Sequence, residues 1–475
     1  MQQSFRKSAT DLASQSDGGT SRKHSGKYEE DIQITTLPSG VQVVTRHEPR
    51  AGNVDMRILV QAGSLHETGV HPSGIAHFTE HLSGRQGKPI EAALKTIERW
   101  HGSANVETFW TSTHFYAVVP SQHTDKAFAF LADLVCCPEP TLQEFKRQKR
   151  TIRNELADLS LDQPRQQFYR TMRAAFGEVA ATRPIIGDAQ SIDSMTLEDV
   201  SRFRAEFYTS GRTIVSFEGN ITQKEACALV EKYIWLPSGL RGPIQSPEYT
   251  GGYNATPHQD IAGTSIELLF GAGTSSTPKD AAALHTLAQL LTSGQDSYLN
   301  HALRTKRNLL YNASSSRASL IQTEMLSIDL IFPPENTAKI LPATRDILWN
   351  LAESGGTSRL QEYQRRVEHK YRDNVVQPRD AHQSMSRKTN VLAEELLLTG
   401  NIRHMDSDIN ALLNLTPSDI SAVTQKILQS RPTVIVDGAL NHMPPYEEIC
   451  HMFQHKPRQP AKVLTRPNQL AVRNG

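Results

Sequence analysis

The sequence of 475 residues holds only four cysteines, Cys136, Cys137, Cys227 and Cys450. They are too few and too scattered for a disulfide framework, and no CxxC motif occurs. We therefore expect free thiols in a reducing compartment. Lys and Arg total 51 against 50 Asp and Glu, a formal net charge of +1. This balance gives no support for a nucleic-acid partner, which usually shows as a basic excess.

Long apolar runs are also lacking. No run reaches the ~18–20 residues of a membrane-spanning helix, so we expect no membrane span. Residues 1–30 have no apolar segment typical of a secretory signal, and their Ser, Gly and Gln content predicts a disordered tail. Scattered Arg and Lys leave a mitochondrial presequence as the alternative, although Asp11 and Asp17 argue against it. A bacterial cytoplasm is the expected location, with the mitochondrial matrix as the second choice.

Strand and helix patterns alternate along the rest of the chain, which predicts an α+β or α/β fold. Alternating residues on either side of Pro38-Ser39-Gly40 predict a β-hairpin over Ile32–Thr45. The other segments predicted in the first half are strands at Val54–Gln61, Thr113–Val119 and Thr213–Phe217, a long helical region over Asp125–Leu159 and a helix at Asp199–Phe207.

The two halves of the chain resemble each other. Residues 236–257 are dense in Pro and Gly and predict a linker. Before it, a Thr196 cap, a helix and a strand ending at Gly219 close the first half. The same order, from Thr416 to Gly438, closes the second half about 220 residues later. We therefore predict a duplication, with domains at 31–235 and 258–445 and a C-terminal tail at 446–475.

One segment carries a chemical pattern. Pro72 and Ser73 predict a helix start with Ser73 as N-cap. On that helix His77 and His81 stand one turn apart on one face, where two imidazoles can hold one divalent ion. Glu80 lies beside that face, in reach of a water on the metal, and the order HxxEH is the inverzincin motif. Glu80 is therefore the expected general base.

A catalytic zinc usually takes three protein ligands, and Glu155 is the candidate for the third. It lies on the flank of an apolar helical stripe, where a carboxylate is costly to bury unless it is paired or bound to a metal. The stripe comprises Phe145, Ile152, Leu156 and Leu159. Spacing alone leaves a second interpretation open, in which Glu155 is a surface residue that pairs with Arg150 or Arg153.

The sequence resembles the pitrilysin/insulinase family of zinc metallopeptidases, in particular the small class of mitochondrial processing peptidase subunits and their bacterial relatives. The resemblance covers roughly residues 31–440. The matching segments are Ala62-Gly63-Ser64, Gly74 to His81, the acidic helix with Glu155, Gly102 to Thr108 with Asn105, Pro184 to Gly187, and Leu303 to Tyr311.

This resemblance implies two homologous α/β sandwich domains that face each other across a chamber. It implies one Zn²⁺ per chain, held by His77, His81 and Glu155, with Glu80 as general base. Arg304 and Tyr311 would hold the substrate carbonyl from the other domain. The strand of Asn105 would bind the peptide as an added β-strand.

The expected function is a zinc-dependent endopeptidase that cleaves peptides or presequence-like extended segments. By the same resemblance the chain works as a homodimer or as a heterodimer with a related subunit. Gln148 stands where many family members carry a second Glu, and Leu82 to Gly87 differs from the usual loop. These departures keep open an alternative, a catalytically weak or inactive subunit of a processing peptidase.

Overall fold

The computed structural model describes residues 32–84, 90–137, 139–257, 263–274, 277–376, 392–402, 405–440 and 442–457. They form two compact units, and their strands form two sheets. The first draws its described residues from Met1–Tyr249, Ser319–Glu324 and Gln364–Leu413, and the second from Thr250–Ala318, Met325–Tyr363 and Asn414–Gly475. Within the described part of the chain, no helix is long and apolar enough to cross a membrane.

The strands belong to two sheets. In chain order they are β1 (Ile32–Thr36), β2 (Gln42–His47), β3 (Asn53–Val60), β4 (Ser103–Thr108), β5 (Thr113–Pro120), β6 (Thr213–Gly219), β7 (Gly252–Pro257), β8 (Thr264–Thr274), β9 (Asn312–Leu320), β10 (Thr323–Phe332) and β11 (Thr433–Gly438).

The helices are α1 (Ile75–His81), α2 (Ile90–Glu98), α3 (Thr124–Val135), α4 (Leu142–Leu161), α5 (Gln163–Phe176), α6 (Ala189–Ser194), α7 (Leu197–Phe207), α8 (Gln223–Tyr233), α9 (Pro278–Thr292), α10 (Thr337–Ser354), α11 (Thr357–Val376), α12 (392–399), α13 (Met405–Leu413), α14 (Pro417–Gln429) and α15 (Tyr446–Gln454). A π-helix lies at Asn300–Thr305, and 3₁₀ turns at Ser64–His66, Ser121–His123, Ala180–Thr182, Ser210–Arg212 and Pro334–Asn336.

The two sheets share one topology. The first has the order β1-β2-β6-β3-β5-β4 and the second β7-β11-β8-β10-β9. In both, the last strand of the unit runs parallel to one neighbour (β2 or β7) and antiparallel to the other (β3 or β8). The first sheet adds only β1, which forms the predicted hairpin with β2. The predicted fold class of two homologous α/β domains is confirmed.

Matching caps precede the closing helices of both units. Thr196 and Asp199 form a capping box at α7, and Thr416 and Asp419 form one at α14. In each box the threonine hydroxyl accepts from the backbone N–H three residues later, and the aspartate accepts from the backbone N–H of the threonine. The local pattern predicted from sequence therefore folds the same way twice.

Each unit has its own apolar core. In the first, the face of the sheet with Val54, Met56 and Ile58 packs against helices that include α1, α3 and α7. The opposite face carries Val44, Leu59 and Ile214, and α12 packs on it through Ala393 and Leu396. A helix from the second half of the sequence thus completes the first unit.

Three sequence expectations differ from the structure. The helical region over Asp125–Leu159 is broken between α3 and α4, where Pro140 cannot continue a helix. The last six residues of the predicted linker form β7, because they pair with β11. In the predicted C-terminal tail, α15 buries Ile449 and Phe453 in the second core. The predicted N-terminal tail lies outside the described residues.

Candidate metal centre and active site

The helix with the HxxEH pattern begins one residue later than predicted. The N-cap is Gly74 rather than Ser73, and its φ of 86° is the left-handed conformation that glycine favours. A Cβ at Gly74 would also lie 2.4 Å from the carbonyl oxygen of Ile186. Because Gly74 has no side chain to cap α1, the cap comes from Glu67, which accepts from the backbone N–H groups of Gly74 and Ala76 at 2.9 and 3.1 Å.

An aromatic pair holds α1 against α4. Phe78 is fully buried, and its ring stacks on Phe145 with the centroids 4.9 Å apart. At its N-terminus, α4 has a capping box of Thr141 and Glu144. The contact at Phe145 positions Glu155, nearly three turns further along α4, beside the histidines of α1.

His77, His81 and Glu155 come together. The Nε2 atoms of His77 and His81 lie 3.8 and 3.4 Å from Glu155 Oε2, and one donor atom of each residue lies within 4.8 Å of the others. No other group of three such residues with this geometry occurs in the described ranges. Of the two arginines considered from sequence, Arg153 forms an ion pair with Asp193 instead.

The electrostatics of the cluster follow from burial. Burial, followed by the neighbouring His81, lowers the pKa of His77 to about 3, so His77 is neutral and has a free lone pair. Burial opposes the charge on His81, yet Glu155, Glu80 and Gln148 raise its pKa. Burial opposes the charge on Glu155 too, but the hydrogen bond with His81 leaves the pKa of Glu155 lowered.

Glu80 points toward the sheet beside this cluster. Its Oε2 accepts a hydrogen bond from Thr108 Oγ1 at 2.6 Å. Burial raises the pKa of Glu80 to about 7, while His81 and Thr108 lower it. A carboxyl group with a pKa near neutral pH is suited to take up and release a proton.

A cavity of about 450 Å³ opens beside these residues. His77, Glu80 and Glu155 line one side of it. The other lining residues come from β4, α4, α5 and the loop before α6, and they are Val106, Glu107, Thr108, Asp158, Leu159, Asp162, Arg165, Tyr169, Ile185 and Ile186.

The strand of Asn105 borders this cavity. It is β4, the last strand of the first sheet, and among the described strands it pairs only with β5. The side chain of Asn105 is exposed and lies near Glu107 and Tyr116, with Nδ2–oxygen distances of 3.3 and 3.4 Å. β4 therefore presents an edge next to the cluster.

Arg304 and Tyr311 belong to the second unit. Arg304 is exposed near the end of the π-helix, and Tyr311 is 55% exposed just before β9. The backbone N–H of Tyr311 donates to the carbonyl oxygen of Ile331. Their roles stay predictions from the resemblance.

The two departures noted in the sequence fall in different places. Gln148 is buried on α4, 5% exposed, and its side chain hydrogen-bonds with His81. An amide thus stands beside one of the clustered histidines. In the altered loop after His81, residues 85–87 lie outside the described residues.

Sequence reasoning missed the partners that surround the cluster. Thr108, which binds Glu80, is 28 residues away from it in sequence, and its only signal was that it ends the strand of Asn105. Glu67 lies seven residues before Gly74, in no periodic relation to the helix that it caps. His66 and His71 pack against Phe207, and His71 also binds Glu206.

The sequence matches two family descriptions. "Insulinase (Peptidase family M16)" covers residues 42–189, and "Peptidase M16 inactive domain" covers residues 194–366. An "uncharacterized zinc protease" of Mycobacterium tuberculosis is 28% identical over 333 residues, 68% of this chain and 75% of the relative. Another from Mycobacterium leprae is 27% identical over 418 residues, 85% of this chain and 91% of the relative.

Solved structures share the fold. A protease from Helicobacter pylori has a TM-score of 0.71 at 19% identity and covers 86% of this chain and 100% of its own. A peptidase M16 inactive domain from Pseudomonas fluorescens has a TM-score of 0.72 at 19% identity. It covers 87% of this chain and 99% of its own. The duplicated α/β units and the matched sequences place the chain in a peptidase family. The chain belongs to the insulinase family, peptidase family M16.

Proposed function

We propose that this chain is a zinc-dependent endopeptidase that cleaves extended peptide segments. The observation that carries the proposal is the convergence of His77, His81 and Glu155 in one group, with Glu80 beside it. The relatives named zinc proteases support this chemistry.

The three residues fit one zinc ion. Two imidazole nitrogens and one carboxylate oxygen are a common donor set of catalytic zinc sites, and they leave a fourth position open. Among the residues that the structure describes, the buried Nδ1 of His77 has no hydrogen-bond partner, and its Nε2 faces Glu155. Bound zinc supplies a Lewis acid, which polarises a carbonyl and makes water more acidic.

Glu80 is the proposed general base. Its carboxylate takes a proton from the attacking water and returns it to the leaving amine. Thr108 donates to Oε2 of Glu80 and leaves Oε1 available for that transfer. Thr108 therefore orients the base without occupying both of its oxygens.

The peptide is proposed to bind as an added strand on β4. Backbone groups on the free side of an edge strand pair with an extended chain with little dependence on its sequence. Val106, Glu107 and Thr108 of β4 line the cavity together with His77, Glu80 and Glu155. A side chain next to the scissile bond would enter this cavity. Arg304 and Tyr311 remain the proposed carbonyl-binding pair of the second domain.

A second candidate is a weakly active or inactive subunit that pairs with a related chain. The observation that favours it is Gln148, a buried amide beside His81. An amide holds a ligating histidine less strongly than a carboxylate does, which lowers the basicity of the ligand.

The proposed active form is a homodimer or heterodimer, in a bacterial cytoplasm.

The test combines metal analysis with cleavage of internally quenched peptides. Wild type and Glu80→Gln are both expected to hold one zinc per chain. Hydrolysis by the variant should fall about 100- to 10,000-fold, the usual contribution of general-base catalysis. A wild type that holds zinc but cleaves none of the peptides would favour the inactive subunit.

The third ligand has a matched control on the same helix. Glu155→Gln should lose zinc, whereas Glu144→Gln should keep it, because Glu144 caps α4 at the far end from the cluster. If Glu155→Gln retained zinc and Glu144→Gln lost it, Glu155 would not be the third ligand.

A further inference from the structure

The helix that carries both histidines, α1, has no stabilising cap of its own at its N-terminus. α1 has only seven residues, and helices this short are unstable without outside support. Its N-cap, Gly74, makes no side-chain hydrogen bond. The first backbone N–H groups of a helix have no partner within the helix, so another part of the chain must bind them.

Glu67 supplies that support with both carboxylate oxygens. Oε2 accepts from the N–H of Gly74 at 2.9 Å, and Oε1 from the N–H of Ala76 at 3.1 Å. A negative charge at a helix N-terminus also interacts favourably with the helix dipole. Burial raises the pKa of Glu67 to about 8, while the two N–H donors and Arg183 favour its ionised form.

Glu67 itself stands on a fixed element. It follows the 3₁₀ turn Ser64–His66, in which the N–H groups of Ser64 and Leu65 donate to the carbonyl oxygens of Phe109 and Trp110. The loop before β5 therefore anchors the turn, and the turn positions the carboxylate. The second residue that Glu67 binds, Ala76, directly precedes His77.

We propose that Glu67 is a positioning residue of the metal centre, which sets the start of α1 and through it the direction of His77 toward His81 and Glu155. This inference rests on the proposed function, since it assumes that the three residues hold zinc. Without the carboxylate, two N–H groups lose their partner and the first turn of α1 loosens. His77 then departs from the geometry that the metal needs.

Two variants of Glu67 test the proposal. Glu67→Gln keeps the shape but offers one acceptor, and its amide N–H₂ faces a backbone donor. Glu67→Ala removes both acceptors. The control is Glu206→Gln, which removes the charge from the 2.8 Å contact with His71 but leaves the cap of α1 intact.

The measurements are made on the full chain at a pH well above the pKa of Glu67, which is about 8, so that its ionised form predominates. Zinc affinity is measured by competition with a chelator, and the ligand geometry by the visible spectrum of the Co²⁺-loaded protein. Glu67→Gln should bind zinc about 10- to 100-fold more weakly, the range for residues that orient a metal ligand. Its Co²⁺ bands should shift, and kcat should fall with KM unchanged, because β4 is not altered.

The control should match wild type in zinc affinity and in its Co²⁺ spectrum. Equal loss in Glu206→Gln, or wild-type affinity and spectrum in Glu67→Gln, would overturn the proposal. If the alanine variant does not fold, the glutamine variant alone decides. A wild type that binds zinc without cleaving peptides, with the loss in Glu67→Gln, refutes the endopeptidase and supports the role of Glu67. A wild type that binds no zinc refutes both.

Discussion

The two units place different helices at the same point of one topology. α1 follows β3 on the way to β4, and α9 follows β8 on the way to β9. α9 has 15 residues, with Thr277 as its N-cap, and it buries a face of Ala and Leu residues. α1 has seven residues and no side-chain cap of its own. It carries two histidines of the cluster, with Glu80 beside them.

The difference between α1 and α9 shows which of the two repeated helices can carry functional side chains. The single histidine of α9, His285, contacts the hydroxyl of Tyr363, and burial lowers its pKa. It is a satisfied structural residue. α9 is stabilised by its own cap and apolar face, whereas α1 depends on Glu67 and on the Phe78–Phe145 stack. A helix held by its neighbours is free to expose functional groups on its remaining face.

The largest effect is expected from removing a histidine of each helix. His81→Ala should abolish stoichiometric zinc binding, because one of three ligands is lost. His285→Ala should keep one zinc per chain and cost about 1 kcal/mol of stability through the lost hydrogen bond. Metal analysis and urea unfolding measure the two effects. Loss of zinc in His285→Ala would contradict the claim that α1 holds the metal ligands and α9 does not.

A smaller effect is expected from the apolar contacts of the same helices. Phe78→Ala should destabilise the protein by about 3–5 kcal/mol and Leu287→Ala by about 2–5 kcal/mol, since both side chains are fully buried. Zinc affinity should fall only in Phe78→Ala, whose ring positions α1 on α4. Unfolding and chelator titrations check this, and weaker zinc binding in Leu287→Ala would contradict it.

The smallest effect concerns one cross-strand pair. Asp55 of β3 lies opposite Glu218 of β6, whereas the matching pair of the second sheet is Ser265 and Asp437. Burial raises the pKa of Asp55 from 3.8 to about 7, while Arg57 lowers it. The folded state thus holds a proton that the unfolded state has released, so this group makes stability fall as pH rises from about 4 to about 7.

Asp55→Asn should remove that dependence, which amounts to at most about 1.4 kcal/mol per pH unit. Urea unfolding at several pH values within this window measures it. Ser265→Asn, the matched change in the second sheet, should leave the slope as in wild type. An unchanged slope in Asp55→Asn would show that Asp55 is not the titrating group.

Much of the fold follows from local patterns. The β1–β2 hairpin and the caps at Thr196 and Thr416 depend on neighbouring residues, and all three form where the sequence indicates. The break between α3 and α4 and the strand β7 depend on a proline and on a partner strand some 180 residues away. Pairing over such distances leaves no periodic signal in the segment itself.

The residues of the candidate site likewise divide into those that local patterns predict and those that depend on contacts between distant segments. His77, Glu80 and His81 lie within about one helical turn, so their spacing alone predicts a metal held by the two histidines with Glu80 as the base. Glu155 had two interpretations from sequence, and the stack of Phe78 on Phe145 brings it to the histidines. Thr108 and Glu67 act through contacts between segments, which only the folded chain brings together.

The position of α12 has a consequence for how this chain can be divided. Residues 392–399 are encoded far beyond the linker, yet they cover Val44, Leu59 and Ile214 of the first sheet. A fragment that stops at residue 249 would lack this cover and expose an apolar patch to water. Although the two halves repeat one plan, the gene cannot be cut between them without leaving the first product incomplete.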